Sequence, residues 1–203
     1  MSEVERENME VDVLFVGAGP GNLASAYHLT KQVEAYNENA EANGVSPIEP
    51  PTVLVIEKAA ELGDHQLSGA VINPRAIAEL MPDFVEQGFP TEYICDDPQF
   101  RAFFQESDIK SPICPPPFYK NGYHIASLSN VVKWLGAKCE EIGVEIYPGF
   151  AASEILTEGE RVLGIRTGDM GIAADGSHKP TYQPGMDILA RVTVLGEGVR
   201  GSC

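Results

Sequence analysis

The residues of this chain best placed to do chemistry form a glycine cluster, Val16-Gly17-Ala18-Gly19-Pro20-Gly21-Asn22, lying between an apolar run and a helical pattern. Such a loop cradles phosphate: the first glycine permits a tight turn, and the second lets backbone approach a dinucleotide's pyrophosphate. Free N–H groups at the helix N-terminus then face the anion. The third glycine of the G-x-G-x-x-G pattern is replaced by Asn22, with Gly21 standing one residue early. A side chain at that position predicts overpacking worth about 1–3 kcal/mol, which weakens a nucleotide site without abolishing it. Taken alone, so short a glycine turn is equally compatible with a purely structural role.

Two further features are ordered around this loop. Glu57 ends the apolar run Thr52–Ile56 and is followed by Lys58. An acidic residue there accepts hydrogen bonds from ribose hydroxyls and repels a 2′-phosphate, so NADP is disfavoured. The polar, proline-marked insert Lys31–Pro51 accounts for its distance from the glycines. Near the end, Arg191-Val-Thr-Val-Leu195 runs into Gly196-Glu197-Gly198. This reads as a strand returning to the sheet and stopping in a turn that lets backbone pass a flavin; a plain turn has the same signature. His65, His124 and Tyr123 read as ordinary polar residues, Trp134 as core, and Glu106 and Asp108 as a solvated turn. No catalytic side chain is assigned.

The elements that must position these groups follow from hydrophobic patterning. Val11–Val16 and Thr52–Ile56 are apolar almost throughout, as in strands covered on both faces of a parallel sheet. The helix from Pro20 between them completes a β-α-β unit over residues 11–57. Beyond it, a short helix is expected at Pro74–Leu80, mostly extended chain from Asp96 to Tyr123, and a long helix starting at Ser127 or Ser129. Strands are expected at Val144–Tyr147, Ala152–Thr157, Arg161–Thr167 and Met186–Leu195, leaving an unusually long loop from Gly168 to Gly185. The fold class is α/β, a Rossmann-like FAD/NAD(P)-binding fold of flavoprotein type with an added β-rich portion.

Composition narrows the partners. The 203 residues carry 14 Lys plus Arg against 30 Asp plus Glu, a net charge of −16. That argues against nucleic acid and against polybasic binding to anionic lipid. Cys95, Cys114, Cys139 and Cys203 include no C-x-x-C pair, so free thiols in a reducing compartment are expected and no metal ligands are assigned. No run approaches the roughly 18 apolar residues of a spanning helix, and Met1–Glu10 is neither a secretory signal nor a transit peptide.

From about Asp12 to Ser202 the sequence resembles the N-terminal part of the electron transfer flavoprotein–ubiquinone oxidoreductases, also called electron-transferring-flavoprotein dehydrogenases. The resemblance rests on Glu61-Leu-Gly-Asp-His65 with Leu67-Ser-Gly-Ala-Val71, Gly143–Phe150, Thr167–Ile172, Gln183–Met186 and Glu197–Ser202, all in order. It implies an FAD enzyme of the respiratory chain that takes electrons from reduced electron transfer flavoprotein and passes them to ubiquinone. It also implies a [4Fe–4S] cluster in full-length members and peripheral, monotopic attachment to a membrane. By position it places Gly17, Gly19 and Pro20 in the pyrophosphate turn and Glu57 at the adenosine ribose, with Gly21, Asn22 and Lys58 counted as cofactor-binding beside them. Ser68 and Gly69 fall beside the phosphates and ribityl chain, Phe150 and Ala151 near the adenine, and Glu197 and Gly198 in the returning turn.

The resemblance further implies that residues 63–84 are the membrane-associated segment, with Leu67, Val71, Ile72, Ile77, Leu80, Met81 and Phe84 as its apolar bulk; from spacing alone these residues suit the domain's own core equally. The cluster ligands and the C-terminal quinone region are expected to be absent from a chain cut short after a core strand. The expected location is the cytoplasmic face of a bacterial inner membrane, or the mitochondrial inner membrane for a processed form. Two other functions stay open: a related FAD-dependent reductase or hydroxylase, and an inactive, truncated nucleotide-binding fragment.

Overall fold

The fold is that of a computed structural model describing residues 6–173, 175–198 and 201. In chain order its elements are β1 (Asn8–Val16), α1 (Pro20–Glu38), β2 (Val53–Glu57), β3 (Ala70–Ile72), α2 (Arg75–Leu80), β4 (Tyr93–Ile94), β5 (Arg101–Phe103) and β6 (Asp108–Lys110). There follow β7 (His124–Ala126), α3 (Leu128–Glu141), β8 (Glu145–Pro148), β9 (Ala152–Glu158), β10 (Arg161–Thr167), β11 (Met170–Ile172), β12 (His178–Gln183) and β13 (Asp187–Leu195). They divide into two units, one running to His65 and resuming at Leu135, the other Gln66–Trp134.

The first unit is built on a six-stranded sheet in the order β8-β2-β1-β13-β10-β9. The four strands β8, β2, β1 and β13 run parallel, while β10 and β9 are antiparallel additions at the β13 side. Parallel neighbours need a crossover, and α1 supplies it between β1 and β2. Four successive β2 residues, Val53 to Ile56, are all buried, which is why the run is apolar without alternation. Leu14, Val16, Leu54, Ile56, Ala152, Ile165 and Ile188 form the central core cluster. Leu23, Ala26 and Tyr27 are the buried stripe of α1, and the buried Cys139 thiol donates to the Leu23 carbonyl at 3.3 Å. Burial pushes that thiol up to about 12.

The stretch expected to be a long loop, Gly168–Gly185, instead folds into the β11–β12 hairpin. Its base is organised by Asp169, which accepts from Arg6 Nη1 at 2.6 Å, Gly185 N at 2.8 Å and Tyr182 Oη at 3.0 Å. The Arg6 guanidinium holds this carboxyl well below the usual carboxylate range. Polar pairing of this kind leaves no apolar alternation in the sequence, so the hairpin had no strand signature to read.

The second unit holds a three-stranded antiparallel sheet, β3-β7-β4, and the separate hairpin β5–β6. Phe84 meets Phe89 edge-on at 5.2 Å, Phe89 meets Trp134 at 5.3 Å, and Trp134 Nε1 donates to the Gln87 carbonyl at 3.0 Å. His124 is buried with Nδ1 2.7 Å from Thr91 Oγ1, a structural pairing. Helix α3 begins at Leu128, and Val131 N bonds to the Ser127 carbonyl, so Ser127 rather than Ser129 precedes its first turn.

Candidate functional site

Three strand ends meet on one edge of the first unit. Strands β2, β1 and β13 are adjacent and parallel, so the residues following them, Lys58, Gly17 and Gly196, emerge side by side. Ligands of open α/β sheets sit at the carboxyl ends of such strands. The ends are joined by backbone: Gly17 N donates to the Ile56 carbonyl at 2.8 Å and Gly196 N to the Val16 carbonyl at 2.9 Å. Gly17 has φ +94°, and a Cβ on it would lie 2.7 Å from the Gly196 oxygen, so both its conformation and its surroundings demand glycine.

Past this turn Gly19 sits at φ −71° ahead of α1, and Pro20 occupies the first turn, where its missing N–H costs nothing. The first intrahelical bond runs from Leu23 N to the Gly19 carbonyl at 3.1 Å. The N–H groups of Gly21 and Asn22 therefore lack helical partners. No acidic residue occupies the first turn to compete for them. A Cβ at Gly19 or Gly21 would meet nothing within 4 Å, so the outer side of the loop is open.

Glu57 is oriented before any ligand arrives. Its Oε2 accepts from Ala18 N at 2.8 Å and its Oε1 from Ala59 N at 2.9 Å. Two N–H bonds fix the carboxylate against the glycine loop, and each oxygen keeps a lone pair for a further donor. His65 Nδ1 lies 3.9 Å from Oε1. The Glu57 carbonyl also accepts from Phe150 N at 2.9 Å, and Ala151 O accepts from Gly168 N at 2.9 Å. Phe150 is thus held beside the end of β2.

Asn22 corrects the overpacking expected from the broken glycine pattern. It is 8% exposed, and β1 stays paired with β13 through Val16 and Leu195 beside it. Its Nδ2 donates to the Val16 carbonyl at 3.0 Å and the Gly17 carbonyl at 2.8 Å. The room comes from Gly196, where a Cβ would fall 2.3 Å from Asn22 Nδ2 and Oδ1. Gly196 is the residue that the sequence reading did not single out; its one signal was its place in the Gly196–Gly198 turn.

Among the other positions assigned by resemblance, Lys58 and Ala151 are exposed and Gly198 has φ +83°. Ser68 and Gly69 are exposed residues of the second unit, ahead of β3. Val199, Arg200, Ser202 and Cys203 lie outside the described residues. Of the apolar set in residues 63–84, Met81 and Phe84 are buried, which removes them from any outward-facing surface; Leu67 and Val71 are exposed. The larger exposed apolar group lies further on, at Phe103, Phe104, Ile109, Ile113, Phe118 and Tyr119. Among the described residues no three His, Cys, Asp or Glu side chains gather as metal ligands, and no helix is long and apolar enough to cross a membrane.

Protein-family models give no match to the chain. Curated relatives do. It is 44% identical over 202 residues to the mitochondrial electron transfer flavoprotein–ubiquinone oxidoreductase of Arabidopsis thaliana, covering 99% of this chain and 30% of that one. Identity is 41% over 205 residues to the probable enzyme of that name from Acinetobacter baylyi, and 40% over 200 residues to the mitochondrial one of Bos taurus. The chain spans 34% and 31% of those two proteins. Among solved structures, the myxobacterial chondrochloren halogenase, described as a variant of FAD-dependent halogenases, gives a TM-score of 0.55 at 17% identity, covering 95% of this chain and 39% of that one. A geranylgeranyl bacteriochlorophyll reductase-like protein of Thermoplasma acidophilum gives 0.53 at 18% identity, covering 93% and 39%. Nearly all of this chain is therefore similar to about a third of an electron transfer flavoprotein–ubiquinone oxidoreductase, on the Rossmann-like fold of FAD-dependent proteins.

Proposed function

We propose that this chain forms the FAD-binding portion of an oxidoreductase that takes electrons from reduced electron transfer flavoprotein and, as a whole protein, delivers them to ubiquinone. The observation that carries this reading is the meeting of the glycine loop, the fixed Glu57 carboxylate and the Gly196–Gly198 turn at three adjacent parallel strand ends. The open outer side of Gly19 and Gly21 fits a pyrophosphate. When bound, FAD supplies the redox chemistry through its flavin ring.

The chain's own residues bind and orient. The N–H groups of Gly21 and Asn22 take the phosphate charge at the positive end of α1. Glu57 accepts the ribose hydroxyls on the lone pairs left after Ala18 and Ala59, and its charge excludes a 2′-phosphate. Lys58 is assigned to the cofactor beside Glu57, Ser68 and Gly69 to the phosphates and ribityl chain, Phe150 and Ala151 to the adenine side, and Glu197 and Gly198 to the returning turn. Among the described residues no three His, Cys, Asp or Glu side chains gather as metal ligands, so none is assigned to a [4Fe–4S] cluster.

Membrane attachment, at the cytoplasmic face of a bacterial inner membrane or at the mitochondrial inner membrane, is assigned to the exposed apolar residues between Phe103 and Tyr119 rather than to Met81 and Phe84. Interfacial anchoring depends on apolar area of this kind. The test is anaerobic mixing of the FAD-loaded chain with reduced electron transfer flavoprotein, or with NADH or NADPH. Oxidised flavin regained on the electron transfer flavoprotein, matched by reduced FAD on the chain when the two are separated anaerobically, supports the proposal. Bleaching by a nicotinamide alone overturns it in favour of a reductase or hydroxylase.

A further inference from the structure

Asn22 stands where a glycine ordinarily lets helix and strand approach, yet its side chain is among the best-bonded groups of the site. A carboxamide has two N–H donors, and here they reach the Val16 and Gly17 carbonyls at 3.0 and 2.8 Å. The Val16 carbonyl also receives Gly196 N at 2.9 Å. One side chain thereby ties the end of β1, the first loop residue and the turn after β13. The fit is mutual. A Cβ on Gly196 would strike Asn22 Cγ at 2.4 Å, and a Cβ on Gly17 would strike the Gly196 oxygen at 2.7 Å.

The electrostatic consequence follows from which atoms are tied. Carbonyl oxygens near the loop carry partial negative charge and repel a phosphate. Bonded to Asn22 Nδ2, the Val16 and Gly17 oxygens are matched inside the protein, while the N–H groups of Gly21 and Asn22, without helical partners, lie at the helix end. We propose that Asn22 is a positioning residue for anion binding: its side chain holds the glycine loop in its pyrophosphate-receiving form before nucleotide arrives, acting through the loop and not by touching the ligand. A loop already in its bound form gives up less conformational freedom on binding. The proposal rests on the nucleotide-binding reading above.

Asn22→Asp tests it, since the near-isosteric carboxylate sets acceptors against both carbonyls. FAD, ADP and adenosine are titrated against the full chain and the variant, by fluorescence or NMR shifts. All three share the adenosine side at Glu57, but only FAD and ADP carry pyrophosphate. The expected result is about tenfold or more weaker FAD and ADP binding, with adenosine affinity unchanged within about twofold. Equal loss for adenosine, or unchanged ADP and FAD, overturns the proposal. A wild-type chain that binds none of the three removes the nucleotide-binding reading, and this inference with it.

If Asn22→Asp does not fold, Gly196→Ala and the double variant Asn22→Ala/Gly196→Ala take its place. The single change is expected to lose cooperative unfolding or ADP binding, because the new methyl meets the carboxamide. The double change regains cooperative unfolding but binds ADP about tenfold or more weakly than wild type. ADP affinity restored to the wild-type value in the double variant overturns the proposal.

Discussion

Replacing Gly17 with alanine separates the glycine that shapes the turn from those that leave space for ligand. At φ +94° an L-residue with a side chain pays about 1–2 kcal/mol for left-handed backbone. The new Cβ also lies 2.7 Å from the Gly196 oxygen, a backbone atom held in place by the Gly196 N–Val16 O bond. Relieving such a contact costs about 1–3 kcal/mol, so Gly17→Ala is expected to lose about 2–5 kcal/mol, a large share of a typical domain's stability. Gly19→Ala is the control. Gly19 has φ −71°, and its Cβ would meet nothing within 4 Å, so stability should stay within about 0.5 kcal/mol. The same methyl enters the space assigned to pyrophosphate and should weaken FAD binding about tenfold or more. Urea unfolding followed by circular dichroism reads the first effect, and flavin fluorescence titration the second. A Gly17→Ala loss below about 1 kcal/mol, or a Gly19→Ala loss equal to it, refutes the division of roles.

Further expectations concern the rest of the chain. Cys139, buried with its thiol raised to about 12, should resist alkylation in the folded protein while the half-buried Cys95 and Cys114 react first; mass spectrometry of the native chain reads the order, and early labelling of Cys139 contradicts the packing of α3. Asp169 has its folded pKa depressed below the ordinary 3.8. Its contribution is therefore fully present above 3.8 and lost as pH falls through the folded value. Asp169→Asn should cost about 1–2 kcal/mol near neutrality, a difference from wild type that shrinks in acid; a difference growing in acid reverses the sign and rejects the Arg6 pairing. Phe103 and Ile113 are 77% and 71% exposed. Burying a large apolar side chain is worth about 1.5–3 kcal/mol, so Phe103→Glu/Ile113→Glu should reduce co-sedimentation with vesicles about tenfold or more, and unchanged binding removes this segment as the anchor.

What the sequence makes legible is local. Leu14–Val16 and Val53–Ile56 are apolar without alternation because those residues are buried throughout, and that alone marks the β-α-β unit and Glu57 at its end. The long-range matches were hidden. Asn22 looked like a defect because its compatibility depends on Gly196, a residue of the last strand's turn that only the folded sheet brings alongside. The β11–β12 hairpin escaped for another reason: Asp169, Arg6 and Tyr182 organise it through polar bonds, which leave no hydrophobic period. Spacing likewise could not tell an anchor from a core residue in 63–84. Phe84 is interior because it packs on Phe89 and His124, with Trp134 against Phe89, and Met81 is buried as well.

The central claim is that the Gly17–Asn22 loop and Glu57 form a flavin nucleotide site in this chain. The most direct test is the visible absorption spectrum of the purified chain after incubation with FAD and desalting, alongside Glu57→Ala. A retained flavin band in the wild type, diminished in the variant that loses the carboxylate, is the predicted result. A wild-type chain that is folded by circular dichroism and colourless after the same treatment contradicts it.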